Sequence, residues 1–428
     1  MNKPARSLKI VTELSRIILG GTFAFSGFVK AVDPLGFSYK IQDYLVSLGM
    51  TGLLSLALPA AILLVVAEFL LGTLLLMGIY RKTVVRFIAL FMAFFLPLTL
   101  WIALKNPVEE CGCFGDALVI SNWATFYKNI LLGLCTLVLL NRHREITPLF
   151  TSGSVWKAAG YTTLFALTFS IYNVVKLPVF DFRPYHIGAN IPEGIHIDPA
   201  KGDVVENLFI YSKEGVEQEF TEENYPWSDS TWTFVEMKTR VIRKGEKPKI
   251  SDFQVFELDY DSLAQDFVAG EDITEQLLLD GGYHFLMVSY SLEEMNRRYL
   301  DKFMRAATYA AEKGYGFYCL TSSPAEVIGE WSSANGISFR FAHVDERVLK
   351  TMIRSNPGLI LLSEGTVINK WDDSEVPDLT PQRGEEQLVA RGLKVNFWGK
   401  LMVILLIFTV PLALIGAVPA PGRARMTR

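Results

Sequence analysis

Residues 52–79, GLLSLALPAAILLVVAEFLLGTLLLMGI, form an apolar stretch of the chain in which Glu68 is the single charged side chain. An α-helix of about 20 apolar residues is long enough to cross the hydrocarbon core of a bilayer, so this stretch predicts a membrane span. Further apolar stretches lie at residues 10–29, 87–104, 123–140, 157–177 and 401–418. The sequence therefore predicts a multi-pass α-helical membrane protein with six spans.

Lysine and arginine residues predict the orientation of these spans, because they accumulate on the cytoplasmic side of a membrane. They cluster before the first span, between the second and third, between the fourth and fifth, and after the sixth: Lys3, Arg6, Lys9; Arg81, Lys82, Arg86; Arg142, Arg144, Lys157; Arg423, Arg425, Arg428. All of these clusters fall on one side of an alternating topology. Both termini are therefore predicted to be cytoplasmic, and the charged segment 178–396 to lie outside. The first stretch lacks a following small-residue cleavage site, which predicts a retained anchor.

The loop between the third and fourth predicted spans reads Glu109-Glu110-Cys111-Gly112-Cys113-Phe114-Gly115-Asp116, and it faces outward in this topology. Outside the cytosol, two thiols can form a disulfide and exchange it. Gly112 permits the bend that a disulfide between Cys111 and Cys113 requires, and such a strained bond would be labile. The acidic neighbours act against exchange, because they disfavour the attacking thiolate. A redox-active pair, a structural disulfide or pair of free thiols, and part of a metal site all stay open, although no nearby histidine completes a metal site.

Arg16 and Glu68 lie inside predicted spans, where an ionised side chain is costly. Measured from the cytoplasmic ends of their helices, Arg16 lies about 9 Å deep and Glu68 about 18 Å deep, and an arginine side chain can reach several ångströms further. We therefore predict that Arg16 and Glu68 pair between adjacent helices. Such a pair either fixes helix packing or forms a polar floor beneath a small-molecule or proton site. Cys135, inside the fourth span, is interpreted as a small core residue.

The first four spans resemble the DoxX/MauE superfamily over residues 8–140. The resemblance is carried by Arg16, Phe25-Ser26-Gly27-Phe28-Val29-Lys30, Asp33-Pro34, Gly36-Phe37, Lys40-Ile41, Tyr44-Leu45, Glu68, Gly72, Gly78-Ile79-Tyr80-Arg81 and Cys111-Gly112-Cys113-Phe114-Gly115. It implies a four-helix membrane unit linked to thiol oxidation or membrane redox maintenance. MauE proteins are associated with maturing a disulfide-rich periplasmic dehydrogenase, and the additional outer domain departs from a stand-alone MauE.

Residues 281–372 alternate predicted strands and helices in the order βαβαβαββ, which indicates an α/β domain. The segment 248–375 is similar to the thioredoxin-like domains tethered outside bacterial membranes, and Pro357 stands where that family has a cis-proline. After the first strand, however, the family's Cys-x-x-Cys is replaced by Ser289-Tyr290-Ser291-Leu292-Glu293-Glu294. Cys319 lies within a predicted strand and is interpreted as core. The outer domain is therefore predicted to bind partners or act as a scaffold, not to exchange disulfides itself.

The predicted organisation has five parts: a DoxX/MauE-like membrane domain (1–145), a fifth transmembrane helix (146–178), a β-rich extracytoplasmic segment (179–247), a thioredoxin-like domain (248–380), and a sixth transmembrane helix with a cytoplasmic tail (396–428). A net charge of −4 gives no reason to expect nucleic-acid binding. The soluble histidines lack the spacing of metal ligands, so we assign no metal and no cofactor.

The functional hypothesis is a bacterial inner-membrane protein that handles periplasmic thiols and disulfides. Cys111 and Cys113 would be the exchanging pair, and the outer domain, with its groove at Pro357, would be the recognition module. The alternative is a non-enzymatic, membrane-anchored scaffold or binding subunit of an envelope complex. The expected partners are membrane lipid and a periplasmic or envelope protein.

Overall fold

A computed structural model of the chain describes residues 3–106, 112–198, 201–202, 204–243, 245, 247–261, 266–337, 339–379, 388 and 396–417. Within these residues, long α-helices form a bundle, and the segment between its last two helices forms a domain with two β-sheets. The first six helices are α1 (Lys3–Val32), α2 (Pro34–Ser47), α3 (Ala57–Met77), α4 (Arg81–Lys105), α5 (Asn122–Arg142) and α6 (Val155–Val175).

The segment that follows α6 contains the strands and the shorter helices. In chain order these are α7 (Ile191–Ile195), β1 (Val204–Lys213), β2 (Val216–Phe220), β3 (Thr233–Arg243), β4 (Phe256–Asp261), β5 (Asp266–Asp272), α8 (Thr274–Leu279), β6 (Tyr283–Ser289), α9 (Leu300–Lys313), β7 (Gly316–Thr321), α10 (Ala325–Asn335), β8 (Arg340–His343), α11 (Glu346–Met352), β9 (Gly358–Ser363) and β10 (Thr366–Asp372). The last helix, α12, spans Phe397–Ala417.

Five helical segments in the described part of the chain are long and apolar enough to cross a membrane. They are Thr51–Met77, Arg81–Lys105, Asn122–Glu145, Val155–Val175 and Phe397–Ala417. The protein is therefore a multi-pass membrane protein. The remaining predicted span, at residues 10–29, lies within α1, which is 30 residues long. Its charged residues Glu13, Arg16 and Lys30 lower its apolar character, and it is not among the five.

Helices α1 and α3 pack at backbone distance through glycines. A Cβ added to Gly27 would overlap the backbone of Phe69, and one added to Gly72 would overlap the backbone of Ala24. Small residues allow this close approach, which is a common basis of helix association in membranes. The packing brings the last turns of α1 against the middle of α3.

Helix α1 ends where the chain turns into α2. Pro34 occupies the first turn of α2, where its missing N–H leaves no hydrogen bond unmade. The Asp33 carboxylate caps the same helix by accepting a hydrogen bond from the Gly36 N–H at 2.9 Å. The turn therefore fixes a carboxylate at the end of α1.

The larger sheet has seven strands in the order β10-β9-β6-β7-β8-β4-β5. Strands β6, β7 and β8 are parallel, while β9 pairs antiparallel with β6. One face packs against α8 and α11 and the other against α9 and α10, so this domain has helices on both faces of a mixed sheet. The smaller sheet has three antiparallel strands in the order β2-β1-β3.

The predicted order of elements over residues 281–372 is confirmed. Helix α9 begins only at Leu300, although β6 ends at Ser289. The backbone before this helix makes hydrogen bonds to other segments. The Leu292 N–H donates to Ser323 Oγ, and the Asn296 N–H donates to the Asn356 carbonyl.

We expect Gly72→Ala to destabilise the membrane bundle, because its methyl group would force α1 away from α3. Overpacking of this kind costs about 1–3 kcal/mol. Gly21→Ala is the matched control, since a Cβ at Gly21 meets no atom within 4 Å. Thermal unfolding in detergent should show a lower midpoint for Gly72→Ala and an unchanged or higher one for Gly21→Ala. Equal midpoints would contradict the close packing.

Candidate functional site

The segment that follows Gly112 lies against the ends of α1 and α5. Cys113 is half-buried, and its carbonyl oxygen lies 2.8 Å from Ser26 Oγ, which donates to it. The centres of the Phe114 and Phe25 rings lie 5.5 Å apart. The Lys128 ammonium lies 4.3 Å from the centre of the Phe114 ring. Cys111, the other half of the predicted pair, lies outside the described residues.

Glu68 and Lys30 form a buried ion pair directly below this segment. Lys30 Nζ lies 2.9 Å from both carboxylate oxygens of Glu68, and the side chains are only 5% and 7% exposed. Ser26 Oγ lies 2.8 Å from Glu68 Oε2, and the Phe37 ring covers the ammonium at 4.7 Å. The polar contacts therefore run from Lys30 through Glu68 and Ser26 to the Cys113 carbonyl.

Ser26 stands between two acceptors in this network. Its hydroxyl has a single proton, whereas both the Glu68 carboxylate and the Cys113 carbonyl accept hydrogen bonds. At any moment it can donate to only one of them. The Ser26 hydroxyl therefore donates either to Glu68 of the buried ion pair or to the carbonyl of Cys113.

The predicted pairing of Arg16 with Glu68 is wrong. Arg16 instead donates from Nε to the Leu75 carbonyl at 3.2 Å, from Nη2 to the Leu76 carbonyl, and from Nη1 to Glu13 Oε2 at 3.0 Å. Arg16 and Glu68 lie at different levels of the antiparallel α1 and α3, about two helical turns apart.

The true partner of Glu68 could have been found in the sequence. The predicted span at residues 10–29 stops one residue short of Lys30, whereas α1 continues to Val32. A charge inside a span requires an opposite charge at the same depth. A first helix that extends past residue 29 includes Lys30 and identifies it as the partner of Glu68.

Arg354 lies in the domain between α6 and α12 and joins that domain to the membrane unit. Its Nε donates to both Asp33 carboxylate oxygens at 3.0 Å, and its Nη2 lies 2.9 Å from Asp33 Oδ2. Nη2 also lies 3.8 Å from Oδ2 of Asp116, three residues after Cys113. The Tyr39 ring of α2 covers the guanidinium at 5.3 Å. One buried arginine thus contacts both the α1–α2 turn and the cysteine segment.

The two carboxylates beside Arg354 have opposite pKa shifts. Burial by itself raises the pKa of Asp33, but the charges of Arg354 and Arg183, together with the hydrogen bonds to its carboxylate, outweigh burial and hold that pKa below its usual value. The pKa of Asp116 is raised, by burial and by the negative charge of Asp33. Arg354 therefore pairs mainly with Asp33, and Asp116 is the weaker partner.

Arg354 and Pro357 belong to one loop, between α11 and β9, and the Asn356-Pro357 peptide bond is cis. Asn356 ties this loop to the end of β6, because its Oδ1 accepts from Ser289 Oγ at 2.7 Å and its Nδ2 donates to the Ser291 carbonyl at 2.9 Å. The loop therefore has one side on residues 289–291 at the end of β6 and the other on the membrane unit.

The remaining cysteines are buried. Cys319 in β7 is fully buried, and burial raises the pKa of its thiol, so it is not a ready nucleophile. Cys135 packs in the core of the helical bundle. Among the residues that the structure describes, no group of three or more histidine, cysteine or acidic side chains could hold a metal ion.

Two family models match parts of this chain. Residues 8–141 match the model of the methylamine utilisation protein MauE. The first third of the chain is MauE-like. Residues 205–244, which contain the three-stranded sheet, match a domain of unknown function, DUF8463. Comparisons with curated proteins and with solved structures returned no match.

We expect Glu68 to be energetically coupled to Lys30 and not to Arg16. Lys30→Met or Glu68→Gln alone leaves a buried polar group without its partner, which costs about 3–5 kcal/mol when a buried ion pair is broken. The double variant should cost less than the sum of the single changes, whereas Arg16→Gln with Glu68→Gln should be additive. Thermal unfolding in detergent measures both cycles. Coupling of Glu68 to Arg16 with none to Lys30 would contradict the observed network.

Proposed function

We propose that this membrane protein handles thiols and disulfides outside the cytoplasm, with Cys111 and Cys113 as the exchanging pair. The MauE-like membrane unit supports a role in a redox process of the membrane. The outer domain, which we propose to be thioredoxin-like, would recognise the client protein.

The observation that carries this proposal is the bridge made by Arg354. It links the loop that contains Pro357 to Asp33 and to Asp116, close to Cys113. Ser26 holds the Cys113 carbonyl from the membrane side. A client bound at the Pro357 loop would therefore meet the cysteine segment at a short and defined distance.

The exchange step requires no other reagent than the client. A thiolate of the pair attacks a client disulfide, forms a mixed disulfide and releases one client thiolate. The second cysteine then attacks the mixed disulfide, which releases the other client thiolate and leaves Cys111 and Cys113 oxidised. The reverse sequence oxidises a client dithiol, and the direction follows from the relative reduction potentials.

Recognition is assigned to the outer domain because its own exchange motif is missing. The end of β6 carries serine, tyrosine, leucine and glutamate where a thioredoxin has two cysteines. The groove beside Pro357 could still bind an extended polypeptide through backbone hydrogen bonds. Binding there would raise the local concentration of the client near Cys111 and Cys113.

The absence of an exchange motif at β6 also favours a second candidate function, a non-enzymatic scaffold of an envelope complex. In that case Arg354 would serve only to fix the two halves, and the cysteines would clip a loop. The two candidates differ in whether a client becomes covalently attached.

We expect Cys111→Ser or Cys113→Ser to accumulate mixed disulfides with client proteins, because the thiol that resolves the adduct is missing. Adducts are detected on non-reducing gels after acid quenching and identified by mass spectrometry. The double variant Cys111→Ser with Cys113→Ser is the control and should trap nothing. If neither single variant captures a client, the exchange function is excluded and the scaffold is favoured.

Arg354→Gln in the trapping variant should lower the yield of adducts several-fold, because it separates the cysteine segment from the outer domain. Arg347→Gln, on the neighbouring helix α11, is the matched control and should leave the yield unchanged. Arg354→Lys should retain part of the yield, since it keeps the charge but not the paired hydrogen bonds. Unchanged trapping in Arg354→Gln would remove the outer domain from the exchange step.

We further propose that the protein resides in a bacterial inner membrane with six spans, both termini in the cytoplasm and the large domain in the periplasm. In a background without Cys111 and Cys113, Gly215→Cys should react with an impermeant maleimide in intact cells, and Gly153→Cys only after lysis. The basic residues near Gly153 motivate this orientation. The opposite labelling pattern would exclude both the topology and the periplasmic chemistry.

A further inference from the structure

Strand β3 forms an exposed edge of the three-stranded sheet. All eleven of its residues are exposed to solvent. It pairs with β1 on one side, and within the described part of the chain no strand pairs with its other side. Its outer N–H and C=O groups therefore form a row on which a further strand can pair.

The exposed edge carries five apolar side chains beside its charged residues. Phe234, Met237 and Ile242 are 52%, 53% and 61% exposed, and Val235 and Val241 are each 45% exposed. Several of these side chains share one face with aromatic residues of the neighbouring strands, because opposite residues in a ladder lie on the same face: Phe234 is opposite Tyr211, and Met237 is opposite Phe209. A long, apolar edge of this kind is normally covered or blunted in a soluble domain.

The sequence of β3 is complementary to itself. β3 pairs regularly with β1 over residues 236–241, and when two copies of this stretch run antiparallel with Lys238 at the two-fold axis, Met237 lies opposite Thr239. The same register places Glu236 opposite Arg240, so that two symmetric pairs of opposite charge form. Lys238 faces its own copy, but its ammonium is already paired with Glu236 of the same chain at 2.9 Å.

We propose that β3 is an interface at which a second copy of this chain pairs, which would join the two small sheets into one continuous six-stranded sheet. Pairing about a two-fold axis is the commonest symmetry of protein oligomers, and it requires a surface that complements itself. Confinement of both copies to one membrane raises their effective concentration, so a contact of one strand edge can suffice. This interface does not depend on the exchange function of the cysteines.

The register is tested by a cysteine at the axis. In membranes from cells that express the full chain with Cys111→Ser and Cys113→Ser, Lys238→Cys should form a disulfide-linked homodimer on mild oxidation. Glu217→Cys, at the exposed opposite edge on β2, is the matched control and should stay monomeric. Adducts of Lys238→Cys with a different protein, or no adducts, would overturn the proposal.

Charge reversal tests the complementarity independently of the disulfide geometry. Glu236→Lys in the Lys238→Cys chain places like charges opposite each other twice and should lower the cross-linked fraction roughly tenfold. Adding Arg240→Glu restores opposite charges and should recover the dimer, which a mere loss of folding would not. Failure of the double reversal to recover the dimer, with the chain still folded, would overturn the register.

Native mass spectrometry of the unmodified protein should show the dimer, and a monomer there would overturn the interface itself.

Discussion

Hydrocarbon does not tolerate an unpaired charge, and the register of α1 against α3 follows from this constraint. Lys30 and Glu68 are both buried and can neutralise each other only when the two helices lie at one particular relative height. Gly27 and Gly72 permit the backbones to approach closely enough for that pairing. The same register lets Arg16 reach the carbonyls of Leu75 and Leu76 at the far end of α3. Close packing and charge pairing therefore specify one arrangement together.

The junction between the two halves depends on this register. Because α1 is held against α3, its end presents Asp33 at a fixed place, and Arg354 of the domain between α6 and α12 binds there. Arg354 is itself buried, so removing Asp33 would leave its charge in the interface with only the weaker partner Asp116. The segment after Gly112 lies between these elements, bound by Ser26 below and close to Arg354 above. The cysteine segment therefore lies at the interface between the two domains.

The two sheets between α6 and α12 have different relations to the rest of the molecule. The seven-stranded sheet is covered by helices on both faces and is tied to the membrane unit through the loop before β9. The three-stranded sheet, which matches the domain of unknown function, exposes its edge strand along its whole length. The exposed apolar side chains of this strand leave water only when another surface covers them.

The sequence by itself determined the multi-pass character, the MauE-like first third and the order of strands and helices between residues 281 and 372. These features follow from the length, periodicity and motifs of local segments, which do not depend on distant neighbours. It also pointed to Glu68 as a buried charge that needs a partner. The identity of that partner, the bridge from Arg354 to Asp33 and the exposure of β3 were decided only by the tertiary structure. They depend on which helix ends lie at the same depth and on which surfaces meet, and residues 321 positions apart in the chain, such as Asp33 and Arg354, carry no local signal of their contact.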